Sequence, residues 1–160
     1  MIEQGPFMVR FQAALTENDI ELQDLLDIWE SMRGARRMPA RSDFKPELLQ
    51  RHLGWVHLLD VTYEPLSFRF RLYGSNISAA TGRDATGQEL NEAFSGKFLN
   101  ELQQVLERTV SETQPLRVES SFAGVNKEFI PITSLFLPLS DEGEQVDMVM
   151  IRHVIGTRST

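Results

Sequence analysis

The sequence predicts an α+β domain, and three observations predict it. An amphipathic helical stripe comes first, two strand-like runs follow, and a second amphipathic helix separates them from three further strand-like runs. Two strands, then helices, then three strands segregate the element types, and five antiparallel strands with helices on one face suit that order. With 160 residues and 41% hydrophobic side chains, the chain is one domain with apolar bulk for a core.

Residues 1–17 show no period and are expected to form a flexible arm. In NDIELQDLLDIWESMR, Leu22, Leu25, Leu26, Trp29 and Met32 share one helical face. Asn18 and Glu21 have the spacing of a capping box, and Gly34 is placed to end a helix over 19–33. So apolar a stripe requires a partner; the expectation is a second copy of the chain, with these five residues as the dimer face. Ser42 or Asp43 is positioned to cap a short helix with Pro46 in its first turn, closed by Gly54.

WVHLLDVTY and SFRFRLY read as a hairpin over 54–74 about the EPLS turn. Alternation puts Phe68, Phe70 and Leu72 on one face and Arg69, Arg71 and Tyr73 on the other. Residues 75–81 suit a short helix stopped by Gly82, and Thr86 or Gly87 starts another turn. KFLNELQQVLERTVSE is the clearest helix, with Phe98, Leu102, Val105, Leu106 and Thr109 on one face. LRVESSFAG, EFIPITSLFLPLS and QVDMVMIRHVI read as three strands, with a turn at 141–144 and a tail at 156–160. No repeat or linker divides 18–155, so it is read as a single domain.

The formal net charge of −7 opposes binding to nucleic acid or to an acidic membrane, since phosphates attract a basic field. The N-terminus lacks a signal-peptide pattern and no run reaches the ~20 apolar residues of a spanning helix. A cytoplasmic protein without nucleic-acid or membrane partners is expected. The absence of cysteine excludes disulfides, thiolate nucleophiles and cysteine-ligated metals.

PARSDFKPELL (39–49), LLDV (58–61), FRFRLYG (68–74), GRDATG (82–87) and LPLS (137–140) occur in this order. Together they resemble the signature of a PAS subfamily of small, often stand-alone proteobacterial proteins, formerly catalogued as a domain of unknown function. The resemblance spans nearly the whole chain. It implies a five-stranded antiparallel sheet of order 2-1-5-4-3, a cavity between sheet and helices, and an N-terminal helix outside the core. PAS domains bind haem, flavins or small metabolites, or serve as dimerisation modules, and usually adjoin a kinase or cyclase, for which this chain has no room. The implied function is a stand-alone bacterial sensory or interaction domain. It would be a homodimer that takes a small metabolite and signals through an unidentified protein partner.

The cofactor stays unknown. A cysteinyl-flavin is excluded by the missing cysteine, and haem is not expected because helix 96–112 has no histidine. His57 and His153 lie on strands that could be neighbours; two histidines without a third ligand are weak evidence for a metal, and none is expected. Arg71, Tyr73, Asn76, Phe98 and Phe136 are the remaining pocket candidates. Arg71 has a favoured structural alternative, a pairing with an acid of the N-terminal helix.

Arg37 and Arg41 spell RxxxR, the spacing PilZ domains use for cyclic dinucleotides, and guanidinium forks suit phosphates. The accompanying motif at Asn76–Gly82 is one residue off, and solvated pairs, with Arg41 tied to Asp43 or Asp60, are the competing account. No catalytic residues are expected: Glu101, Glu107 and Glu112 form a solvated face, Ser120 and Ser121 lack a base, and no P-loop or HExxH occurs. Two alternatives stay open. One is a ligand-free adaptor with its pocket packed shut by Phe94, Phe98, Phe122 and Phe136. The other is a cone-shaped enzyme of the ketosteroid isomerase type, for which His57 and Asp60 are the nearest pair but on opposite strand faces.

Overall fold

The computed structural model describes residues 8–11, 15–123 and 129–156. Its elements are β1 (Met8–Phe11), α1 (Ile20–Arg33), β2 (Val56–Thr62), β3 (Ser67–Leu72), α2 (Ser75–Thr81), α3 (Leu90–Ala93), α4 (Gly96–Glu112), β4 (Leu116–Ala123), β5 (Phe129–Leu139) and β6 (Met148–Ile155). They build one antiparallel sheet of order β1-β4-β5-β6-β2-β3. Counted from β2, five strands take the predicted order 2-1-5-4-3. Among the described residues no helix is long and apolar enough to cross a membrane.

Three local expectations are corrected. Within the arm 1–17, residues 8–11 pair with Leu116–Glu119 and add a sixth strand, because the outer edge of β4 otherwise leaves its amides and carbonyls unpaired. The capping box of Asn18 and Glu21 does not form. Asp19 is the N-cap residue instead, and its carboxylate accepts the Thr16 amide at 2.8 Å and the Arg117 guanidinium. The helix expected around Pro46 is a single 3-10 turn, Arg41–Asp43, followed by turns.

The sheet is covered on both faces. Helices α2, α3 and α4 lie over one face, while α1 packs on β5 and β6 from the other. Alternation along the strands sorts the side chains: Ser134, Phe136, Ile151 and His153 point towards α4, and Arg117 and Arg152 point towards α1. The stripe of α1 therefore finds its partner within the chain. Leu22, Leu25, Leu26 and Trp29 are all buried, Met32 is half-buried, and the Trp29 indole donates to the Pro138 carbonyl at 2.9 Å. This corrects the expected dimer face. A helical period identifies an apolar stripe but not the surface that covers it, and the nearest apolar surface is the chain's own sheet.

At the N-terminus of α1, the Asp19 carboxylate receives Arg117 through Nε at 2.8 Å and Nη2 at 3.3 Å. Both side chains are under a tenth exposed, and Glu119 also bonds Arg117. Burial opposes the Asp19 charge, but the hydrogen bonds from Arg117 and Thr16 outweigh it and hold the carboxyl below its ordinary value.

Two outcomes follow from this packing. Leu25→Ala lowers the unfolding free energy by about 2–5 kcal/mol in urea denaturation, since a fully buried leucine leaves a cavity, and leaves the sedimentation mass of the folded protein unchanged. Asp19→Ala leaves buried Arg117 with Glu119 as its remaining carboxylate and costs about 3 kcal/mol in the same assay; a loss no larger than that of an exposed pair would show the bridge to be solvated.

Candidate functional site

Between the sheet and α2–α4 lies a cavity of about 500 Å³. Antiparallel register builds its floor: His57 stands opposite Ile151, and Ser134 opposite His153, so β2, β6 and β5 present these residues side by side. Tyr73 enters just past the end of β3. Its ring stacks on His57 at 3.9 Å, and Phe70 meets His57 edge-on at 5.6 Å. Phe94 and Phe98, flanking the start of α4, pack at 4.9 Å and continue the aromatic wall, with Phe136 on the sheet side.

Hydrogen bonds fix the state of the floor. The Gly74 amide donates to His57 Nδ1 at 2.9 Å, so the single proton of that imidazole sits on Nε2. Glycine is required at position 74, because a Cβ there would lie 2.6 Å from the Gly54 carbonyl oxygen. Ser134 Oγ and His153 Nδ1 share a hydrogen bond of 2.6 Å. Burial, with the neighbouring His153 adding to it, holds His57 well below the ordinary imidazole value; burial and the adjacent Arg152 lower His153 to about 3. Their rings lie 4.7 Å apart, edge to face, as two neutral groups. The Tyr73 hydroxyl is held above its usual range by burial, although Thr81 and Arg83 act against it.

The rim carries a cation. Arg83 lies over the Phe94 ring at 5.0 Å and donates to the Ala93 carbonyl. Glu92, also on the rim, accepts the Glu89 amide at 2.8 Å.

Behind the floor, a hydrogen-bonded chain leads to α1. Arg152 Nη1 donates to the His153 carbonyl at 2.6 Å, and its Nε donates to His52 Nδ1 at 2.9 Å. His52 must then carry its proton on Nε2, which donates to Asp24 of α1 at 2.8 Å. His52 and Arg152 are both buried.

Of the predicted pocket residues, His57, His153, Tyr73, Phe98 and Phe136 line the cavity, and Arg71 and Asn76 do not. Arg71 is exposed on the opposite side of the sheet, where it pairs with Asp60 of β2 at 3.0 Å, not with an acid of α1. Its predicted face-mate Tyr73 turns inwards instead, because β3 ends at Leu72 and strand alternation lapses there; a register shift at Leu58 and Leu59 marks the same end of the pairing. Asn76 is exposed in the first turn of α2, its amide bonded to the Gly54 carbonyl.

The RxxxR pair does not converge either. Arg37 is exposed, Arg41 donates to the Phe44 carbonyl at 3.2 Å, and Asp43 is taken by Arg36 at 2.8 Å. Among the described residues no group of three or more histidine, aspartate or glutamate side chains is placed to hold a metal ion. Sequence reasoning missed Arg83, Ser134 and the Asp24–His52–Arg152 chain. The only available signal was Arg83 within GRDATG, since the chain joins residues far apart in sequence.

Comparison with known proteins agrees with this geometry. The family model for the PAS domain matches residues 18–151. No curated protein matches the chain. An RNA-binding light-oxygen-voltage receptor superimposes with a TM-score of 0.55 at 9% identity, over 96% of this chain and 40% of that one, a likeness of fold. This chain thus spans less than half of that receptor's length. A sensory box histidine kinase/response regulator from Burkholderia thailandensis E264 gives a TM-score of 0.41 at 17% identity, over 69% of this chain and 83% of that one. With most of its length matched and its strands in the predicted order, the chain belongs to the PAS domain family.

Proposed function

We propose that this PAS domain is a sensory module that takes a small molecule into the cavity between its sheet and α2–α4. The observation that carries the reading is the cavity itself: about 500 Å³, walled by aromatic rings, with two neutral imidazoles on its floor. Concave, mostly apolar sites with a few placed polar groups are the usual form of small-molecule sites. Phe94, Phe98 and Phe136 form walls without filling the space, which favours a ligand over the packed adaptor; the side chain of Phe122 lies outside the described residues.

The role is binding rather than catalysis. Asp60, the acid once paired with His57 in the enzyme alternative, is spent on Arg71 at the far side of the sheet. A ligand that contacts His153 or Ser134 biases the backbone that Arg152 holds, and through His52 the seat of α1. Such a ligand shifts a population only by its difference in affinity for the two arrangements. A signalling protein that reads α1 is the partner this implies, and the net charge of −7 favours a protein over RNA. Self-association, where it occurs, uses a surface other than the buried stripe. The cytoplasm suits such a partner.

Native mass spectrometry of freshly purified protein, beside its denatured mass, tests the reading. The expected result is a small-molecule adduct that denaturation removes and that Ser134→Trp, which fills the floor, prevents. Bare protein in both cases would count against the sensor. A second outcome concerns pH. His57 and His153 are neutral when folded but titrate near 6.5 when unfolded, so below about pH 6.5 the unfolded chain binds more protons. Stability falls as pH drops, by up to about 1.4 kcal/mol per pH unit for each group, and levels off only near the folded value, about 3 for His153. His52, lowered chiefly by burial, acts in the same direction. Urea denaturation at pH 7 and pH 5 measures the slope, and His153→Gln removes its share.

A further inference from the structure

The ligand class can be read from the two polar ends of the cavity; the inference rests on the sensor reading above. We infer that the cavity takes a small aromatic carboxylate, with its acid group on Arg83 at the rim and a hydrogen-bond acceptor at the remote end of the molecule on His57 Nε2. Three independent observations meet in this assignment.

The first is the lone donor on the floor. Since Gly74 occupies Nδ1 of His57, the ring's proton is fixed on Nε2, and among the described residues no protein acceptor receives it. A buried donor without an acceptor costs about 1–3 kcal/mol, and a ligand oxygen or nitrogen relieves that cost. A neutral acceptor fits best here, because the Ser134–His153 pair beside it is itself uncharged.

The second is the shape and chemistry of the walls. Phe70, Phe94 and Phe98 present edges and faces in sequence, with centroids 6.0 Å apart for Phe70 and Phe94 and 4.9 Å for Phe94 and Phe98. Tyr73 and His57, stacked at 3.9 Å, close the opposite end. Offset and edge-on ring contacts favour a flat aromatic body.

The third is the cation. Arg83 is anchored by the Ala93 carbonyl and the Phe94 face, yet among the described residues no carboxylate lies within ion-pair distance of it. By contrast, Arg69 pairs with Glu89 at 2.7 Å and Arg108 with Glu112 at 3.0 Å. The one acid beside Arg83 on the rim, Glu92, is bonded to the Glu89 amide. An arginine fixed at the mouth of an aromatic cavity matches a planar carboxylate, which it can engage with two parallel hydrogen bonds.

Calorimetric titration with three probes tests the assignment: 4-acetylbenzoate, its neutral methyl ester, and 1-naphthol as an uncharged ring. The expected result is that 4-acetylbenzoate binds about ten-fold tighter than its ester, a typical margin for a charge-assisted pair near a surface. Arg83→Gln, an exposed position that leaves the fold intact, erases that margin and leaves the ester's affinity unchanged. A further ligand, 4-isopropylbenzoate, which lacks the remote acceptor, binds the wild type more weakly than 4-acetylbenzoate, and this margin in turn survives Arg83→Gln. Equal binding of acid and ester, or an equal loss of both in Arg83→Gln, overturns the carboxylate assignment. Binding of 1-naphthol alone overturns it as well, but keeps the cavity as a ligand site. Binding of none of the three overturns both the assignment and the sensor reading.

Discussion

A buried arginine sets the terms for the rest of this domain. Arg152 sits near the centre of the sheet with no carboxylate in contact among the described residues, and an unpaired charge there would be prohibitive. It is made tolerable by distributed partners: the His153 carbonyl, the lone pair of His52, and the Trp55 ring at 5.8 Å. His52 passes the polarity on to Asp24, at the partly exposed surface of α1. Burial still disfavours the guanidinium charge, which Glu21 and Asp24 support from a distance. Three segments must be in place together for this arrangement to hold: α1, the turns before β2 that carry His52 and Trp55, and β6. Loss of any one leaves the others with an unsatisfied polar group.

That constraint also separates the two faces of the sheet. The α1 side is packed with Leu22, Leu25, Leu26 and Trp29 and pinned at two polar points, the buried pair Asp19–Arg117 and the partly exposed Asp24 on buried His52. The opposite side is aromatic and leaves space. The sheet is thus clad on one side by a packed helix and on the other by a cavity. His153 and Arg152 are adjacent in sequence and face opposite ways, so one residue step along β6 crosses from cavity to helix. The PAS family supplies the architecture, and these side chains supply the hydrogen-bonded path from the cavity floor to α1.

The candidate site was half legible. Neighbouring strands and the apolar face of α4 could be read locally, and His57, His153, Phe136 and Phe98 do line the cavity. Tyr73 lines it too, although alternation grouped it with Arg71. The strand ends between the two, and beyond Leu72 nothing forces the next side chain to the alternate face. Arg83 was hidden for a different reason. In GRDATG it reads as one more surface arginine, and only its seat over Phe94, eleven residues later between α3 and α4, places it at a cavity mouth.

The sequence by itself determined the order of α1, α2, α4 and the strands from β2 onwards, the antiparallel sheet, the boundaries of α2 and α4 to within a residue, and the exclusion of thiol chemistry. These are consequences of local rules: period, capping, glycine stops and composition. Only the tertiary structure decided what each apolar face and each polar group met. The stripe of α1 demanded cover, but whether another copy or the chain's own sheet supplied it depended on where β5 and β6 came to lie. The tautomers of His52 and His57 were set by Arg152 and Gly74, partners brought in by the fold. A hydrogen bond between residues one hundred positions apart has no periodic signature, because the chain between them, not their spacing, brings them together.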